Sequence, residues 1–279
     1  MPKHEKFIMA GDCALRISDT APATDNNPQN DTPAVVLLHG YMESLDIWDE
    51  FTDLLLPRVR VVALDLPGHG VSEVKGEVHT MAFLADTVAA ALDVIGVRKA
   101  VVVGHSMGGY VALELLARHP QIVAGIVLFH SAPDADSDDK RRDRLREMEI
   151  IRSGKKEFIA KNYSAMGFAP HNRTALQWAV EELAEQIMLT EDEGILAILA
   201  GMSQRQDHNS LLHESSVPQL FIFGRHDDYV PAEAAGAVIA AHPQAECVWL
   251  ENSAHMGFIE EPETSADIIV GFANRAFAE

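Results

Sequence analysis

Cysteine is nearly absent: Cys13 and Cys247 are the only two among 279 residues, and they stand close to opposite ends of the chain. That excludes a disulfide framework, and no single bridge between them follows from sequence. Basic residues are also scarce, with 22 Lys and Arg against 42 Asp and Glu, for a net charge of -20. An average surface of that sign repels phosphate backbones and anionic bilayers, so neither nucleic acid nor a membrane is expected as a partner. No apolar run approaches the length of a bilayer span, and residues 1–10 lack the apolar stretch of a secretory signal. A cytoplasmic protein is the expectation. No H-E-x-x-H motif or cysteine cluster offers a zinc site, and neither a metal nor an organic cofactor is expected.

What is present is the balance of a globular protein, 47% hydrophobic and 23% charged. The length suits one large domain carrying an insertion better than two independent domains. Alternating stretches at residues 6–9 and 14–18 around Gly11-Asp12 read as a β-hairpin. A polar loop with Pro22, Asn26, Asn27, Pro28 and Pro33 follows. From residue 34 to about 133, short β-branched runs at 34–38, 59–64, 100–103 and 125–129 alternate with helical periods at 81–95 and 107–118. This is the pattern of βαβ units in a mostly parallel sheet, which places ligand sites at the carboxyl ends of the strands. Strand signals vanish between residues 134 and 216. Leu176, Val180, Leu183 and Ile187 make one helical stripe, and Thr190 with Glu193 reads as a capping box. Lys140, Arg141, Arg142, Arg144 and Arg146 alternate with Asp138, Asp139, Asp143 and Glu147, which reads as a solvated, salt-bridged helix face rather than an anion patch. The α/β pattern resumes with strands at 219–223 and 246–250 and helices at 232–241 and 263–277. The expectation is an α/β core of residues 1–133 and 217–279 interrupted by a helical insertion over 134–216.

Gly104-His105-Ser106-Met107-Gly108 directly follows a strand and directly precedes a helix. A serine nucleophile held on a strained strand-to-helix turn needs that context, with neighbours as small as Gly104 and Gly108. A serine hydroxyl attacks only when a base takes its proton. Of 13 histidines, His255 is distinguished because its loop follows the last strand and precedes the final helix. His105 adjoins Ser106 and is expected to point away in a structural role. An acid must orient the imidazole, and Asp227 and Asp228, after the strand at 219–223, are two candidates; Asp134 is a third. The oxyanion of a tetrahedral intermediate needs backbone donors. The N–H of Met107 is one candidate and that of Tyr41, in the loop His39-Gly40-Tyr41-Met42, the other.

These motifs resemble the α/β-hydrolase superfamily over nearly the whole chain. His39-Gly40, the turn from Asp65 to Ser72, the Ser106 elbow, the segment from Gly224 to Pro231, and His255 with Glu260-Glu261-Pro262 stand in the family's order. The resemblance implies an eight-stranded, mostly parallel sheet with a helical cap after the sixth strand, and the chain order Ser, Asp, His, with Asp227 preferred over Asp228. It also implies that residues 65–72 form a structural turn. Serine at the elbow separates the chain from haloalkane dehalogenases, epoxide hydrolases and dienelactone hydrolases. Esterases, lactonases, thioesterases, perhydrolases and carbon–carbon bond hydrolases remain, and residues 195–207 are similar to the cap of small esterases and enol-lactonases. Met148, Met166, Met188, Met202, Phe158, Tyr163, Phe168 and Trp178 lie in the expected cap, where they either line an adaptable apolar pocket or pack helices together. The expected activity is hydrolysis of a small ester through an acyl-enzyme on Ser106, in a monomer or small homo-oligomer. Carbon–carbon bond hydrolysis and non-catalytic ligand reception are the alternatives.

Overall fold

The computed structural model describes residues 4–21, 33–56 and 58–278. The expected polar loop around Pro22, Asn26, Asn27 and Pro28 lies outside the described residues. Eight strands form one sheet: β1 (His4–Ala10), β2 (Cys13–Asp19), β3 (Ala34–Leu38), β4 (Arg60–Leu64), β5 (Ala100–His105), β6 (Val123–Phe129), β7 (Gln219–Gly224) and β8 (Glu246–Leu250). Their order is β1-β2-β4-β3-β5-β6-β7-β8. The hairpin β1–β2 is antiparallel and joins β4 antiparallel, while every pair from β4 to β8 is parallel. Each residue of β3 and β5 is buried, as expected for apolar strands covered on both faces, whereas β1 at the edge is mostly exposed.

Chain order reverses around β3. From β3 the chain steps to β4 on one side and then returns to β5 on the other, so Leu38 is paired with both Leu64 and Gly104. Such a switch point opens a crevice at the carboxyl ends of the two strands. The loop after β3 and the turn after β5 therefore face each other.

The helices expected at 81–95, 107–118, 232–241 and 263–277 are α2 (Met81–Val94), α3 (Met107–Arg118), α9 (Ala232–Ala241) and α11 (Pro262–Ala276). A short 3-10 turn (Leu45–Trp48) with α1 (Asp49–Leu55), and the single turn α10 (Gly257–Glu260), add to them. Five helices run between β6 and β7: α4 (Asp138–Arg152), α5 (Lys156–Gly167), α6 (Gln177–Leu189), α7 (Asp192–Met202) and α8 (Asn209–Glu214). Backbone bonds seat them on the sheet's loops. The carbonyl of Gly167 accepts from the N–H groups of His255 and Met256, and that of Ala197 from His79.

Two local expectations are corrected. Thr190 does not cap α7, whose N-cap is Glu191; its hydroxyl instead donates to Gln186 O at 3.1 Å. The charged run on α4 is only partly a solvated face. Arg141, Arg142 and Arg146 pair with Asp138, Asp139 and Asp143 as expected, but Arg144 turns inward onto the buried carboxylate of Asp136. Cys13 and Cys247 sit on β2 and β8, near opposite flanks of the sheet, and both thiols are free. No helix among the described residues is long and apolar enough to cross a membrane.

Candidate active site

Ser106 joins β5 to α3 with φ 49° and ψ -114°, a conformation that costs energy for any residue with a side chain. Its backbone is locked in place. The Ser106 N–H donates to Phe129 O at 2.9 Å, and its carbonyl accepts from Ser131 Oγ at 2.7 Å. The glycines are required sterically: a Cβ on Gly104 would lie 2.3 Å from Gly108 O, and one on Gly108 would lie 2.2 Å from Leu38 O. The elbow therefore packs against the carboxyl end of β3 with no room for a methyl group.

Asp227 and His255 come together in the two loops that follow β7 and β8. His255 Nδ1 lies 2.8 Å from Asp227 Oδ2, and both side chains are buried. The other carboxylate oxygen accepts the N–H groups of Tyr229 at 2.8 Å and Val230 at 3.0 Å. Burial opposes ionisation of Asp227, but His255 and then His130 hold its carboxyl well below the usual range. An ionised carboxylate at Nδ1 fixes the tautomer with the proton on Nδ1, which leaves Nε2 as the basic nitrogen. Nε2 is buried and has no hydrogen-bond partner among the described residues. Ser106 and His255 line the same cavity, of about 400 Å³, together with Tyr41 and Met107. Asp228 and Asp134 are exposed, and Asp134 holds the side chain of Asn209. Only Asp227 among the three candidate acids reaches His255.

Met107 is the first residue of α3, so its N–H has no intrahelical acceptor. Tyr41 lies in the turn after β3, where its hydroxyl donates to Glu147 Oε1 at 2.9 Å. Burial and then Glu147 push the Tyr41 hydroxyl well above its ordinary range, and burial also raises the Glu147 carboxyl.

Two groups escaped the sequence reading. His130 follows β6 with φ 52°; its Nδ1 faces the Gly224 N–H at 3.2 Å and lies 3.3 Å from Asp227 Oδ2, so the carboxylate borders two imidazoles. Burial lowers His130 to about 4, which keeps it neutral near pH 7. His130, Asp227 and His255 together have the donor chemistry of a metal site, with candidate ligand atoms within 4.8 Å of one another. The nitrogens of His130, however, face the N–H groups of Gly224 and Gly257, and Nδ1 of His255 is turned onto the carboxylate itself. The second group is Glu43. Its Oε2 accepts the Gly40 N–H at 2.6 Å and His105 Nδ1 at 2.9 Å, while His105 Nε2 donates to the His255 carbonyl at 2.9 Å. Both ring nitrogens of His105 face acceptors, so the ring is an imidazolium paired with a fully buried carboxylate. Burial alone would lower His105 and raise Glu43; each partner overrides that, and the histidine is raised while the carboxyl is lowered. His105 is thus structural, as expected, and ties the Gly40 loop to the backbone of His255. A polar residue just past a strand end was the signal available for both Glu43 and His130.

The turn at Asp65 is structural as well: its carboxylate accepts from Arg16 Nε at 2.8 Å and Leu45 N–H at 2.7 Å. Of the methionines and aromatics in the helical segment, Tyr163 and Met202 line the Ser106 cavity, whereas Phe158, Met166 and Met188 are exposed and Phe168 is core.

A parallel sheet with a serine at the strained turn after its central strand, and an Asp–His pair beyond the last two strands, defines an α/β hydrolase. The family model described as alpha/beta hydrolase fold matches residues 33–262, and the chain belongs to that family. Its relatives include esterases. It is 29% identical over 255 residues to a pimeloyl-[acyl-carrier protein] methyl ester esterase of Aeromonas hydrophila, covering 86% of this chain and 95% of that one. A thermophilic esterase of Thermogutta terrifontis superposes with a TM-score of 0.87 at 26% identity over 99% of both chains. The enol-lactonase of Burkholderia xenovorans shares the fold, with a TM-score of 0.85 at 21% identity over 96% of this chain and 99% of that one.

Proposed function

We propose that the protein is a serine hydrolase of small carboxylic esters, with Ser106 as nucleophile, His255 as base and Asp227 as the acid that orients it. The observation that carries this reading is the unpartnered Nε2 of His255, opposite an Nδ1 held by Asp227, in the cavity that Ser106 lines. Family membership and esterase relatives support the ester as substrate.

In this mechanism Ser106 Oγ attacks the ester carbonyl while its proton passes to His255 Nε2. The tetrahedral oxyanion is held by the N–H groups of Met107 and Tyr41, donors worth about two to three powers of ten in rate each. His255 then protonates the departing alcohol and leaves an acyl-enzyme. A water gives its proton to His255, attacks the acyl carbonyl, and the acid leaves as Ser106 recovers its proton. The imidazolium formed twice in this cycle is stabilised by Asp227, whose carboxylate stays ionised throughout. The helices between β6 and β7 act as a cap that keeps bulk water from the carbonyl. No metal or organic cofactor enters any step.

The test is the steady-state rate on chromogenic acyl esters of increasing length, for the wild-type chain and Ser106→Ala side by side. Turnover of short esters that falls by several orders of magnitude in the variant is expected. Equal rates in the two proteins, or no turnover of any ester, would overturn the esterase reading.

A further inference from the structure

The wall of the Ser106 cavity opposite the elbow is strongly charged. Lys140 and Arg144 on α4 and Arg205 beyond α7 line it, with Asp136, Asp143 and Glu147. The charges are unevenly matched. Asp136, completely buried, accepts from Arg144 Nε and, at 3.1 Å, from Arg144 Nη2; its Oδ1 also accepts Arg205 Nε at 2.7 Å. Two guanidinium groups that are 7% and 10% exposed thus share one carboxylate. Arg205 Nη1 makes only a long bond of 3.4 Å to Ala132 O, and Arg144 Nη1 and Arg205 Nη2 meet no acceptor among the described residues. The other two acids of the lining take neither nitrogen: Asp143 turns outward to Arg146, and Glu147 accepts from the Tyr41 hydroxyl. Neither nitrogen is a buried atom left without a partner, so both are open to solvent and available to a ligand in the cavity.

The position of the surplus is fixed relative to the nucleophile. Arg205 Cζ stands 3.7 Å above the ring of Tyr110, which also lines the cavity. Tyr110 follows Ser106 by one turn of α3, about 6 Å along the axis, and helix side chains lean back toward the N-terminus. Tyr110, about one helical turn from Ser106, thus carries Arg205 over the same cavity.

We propose that Arg144 and Arg205, cross-braced by Asp136, form an anion subsite of this cavity, and that the substrate is an ester carrying one free carboxylate a few atoms from the scissile bond. The planar fork of arginine suits a carboxylate. A single negative charge suits two guanidinium groups that already share one carboxylate better than a phosphate dianion does. The net charge of -20 belongs to the average surface and does not fix the local charge of this pocket. The inference rests on the esterase reading only for the word substrate, because binding can be measured without turnover.

The experiment uses two matched pairs: monomethyl glutarate against methyl pentanoate, and 4-acetoxybutanoate against butyl acetate. Calorimetry on Ser106→Ala measures affinity, and product release by wild-type protein measures kcat/KM. In at least one pair the anionic member is expected to bind and react about tenfold or more better, mainly through KM, with the preference fading as salt is added. Arg205→Gln should collapse that preference and Arg205→Lys should restore part of it. Equal or weaker handling of the anion in both pairs by the wild-type chain overturns the subsite, whatever the variants do. Preferential binding with no turnover of any ester would instead sustain the subsite and overturn the esterase reading.

Discussion

The two walls of the cavity are built on different principles. The sheet wall, holding Ser106, Asp227 and His255, consists of turns that directly continue buried strands, and its side chains are fixed by main-chain bonds and neighbouring imidazoles. The helical wall, holding Arg144, Glu147 and Arg205, is assembled from α4 and the segment after α7, and its charges are shared unequally among one another. The contrast fits the two jobs proposed for the cavity. Rigid placement to fractions of an ångström is what bond-making needs, while recognition of a remote group tolerates a surface whose charge can be changed. Substitutions on the sheet wall should therefore abolish rate for every substrate, and those on the helical wall should reorder substrates.

The largest expected effect on this contrast is that of Asp227→Asn. The amide keeps the size of the side chain but removes the charge that fixes the His255 tautomer, and it leaves His130 beside a neutral group. Loss of about four powers of ten in kcat is expected on anionic and neutral esters alike, by analogy with the same change in a serine-protease triad. A loss confined to one ester class, measured on the matched pairs, would erase the division of labour.

Gly108→Ala tests the same wall through folding. Its Cβ would need to occupy space 2.2 Å from the main-chain oxygen of Leu38, so β3 and the elbow would have to separate. Destabilisation of about 3 kcal/mol is expected in denaturant midpoints, the upper end of overpacking costs because backbone rather than a flexible side chain must give way. Gly236→Ala, where no atom lies within 4 Å of the added carbon, is the control and should be neutral or slightly stabilising.

This division also explains what could be read from sequence. The elbow was legible because its chemistry is local: a serine between glycines after a β-branched run has few other uses, α3 spans the expected residues, and β5 starts as expected and runs two residues further, to His105. Asp227 and His255 were legible as loop residues after β7 and β8, although choosing Asp227 over the adjacent Asp228 needed either a family resemblance or the bond to His255. The helical wall was not legible, because a charge run on one helix does not reveal which of its members turns inward. Arg144 faces Asp136 through the tertiary placement of α4, while its neighbours Arg141 and Arg142 stay in solvent with partners one turn away. Thr190 failed as a cap for a related reason, since its hydroxyl found the carbonyl of Gln186 in the preceding helix. The pair Glu43–His105 spans 62 residues of sequence, and neither member carries a motif that names the other.

That pair gives the smallest effect of the three and the one most specific to pH. Glu43→Gln keeps an oxygen for the Gly40 N–H but removes the charge that makes His105 an imidazolium, at an expected cost of about 2 kcal/mol. The sign of the pH dependence follows from the two shifts. Glu43 is held below its ordinary 4.5, so its contribution is present above that value and is lost as pH falls through the lowered one. His105 is held above its ordinary 6.5, so its contribution is present below that value and is lost as pH rises through the raised one. The wild-type chain should therefore exceed the variant in Tm most between the ordinary values of 4.5 and 6.5, with the gap narrowing as pH rises above 6.5. Because Glu43 also holds Gly40, next to the proposed Tyr41 donor, and His105 holds the His255 carbonyl, the variant should lose kcat more than KM on both ester classes. A gap in Tm that stays constant across the range would mean that the pair is held neutral, with one proton shared, and that charge plays no part in bracing the sheet wall.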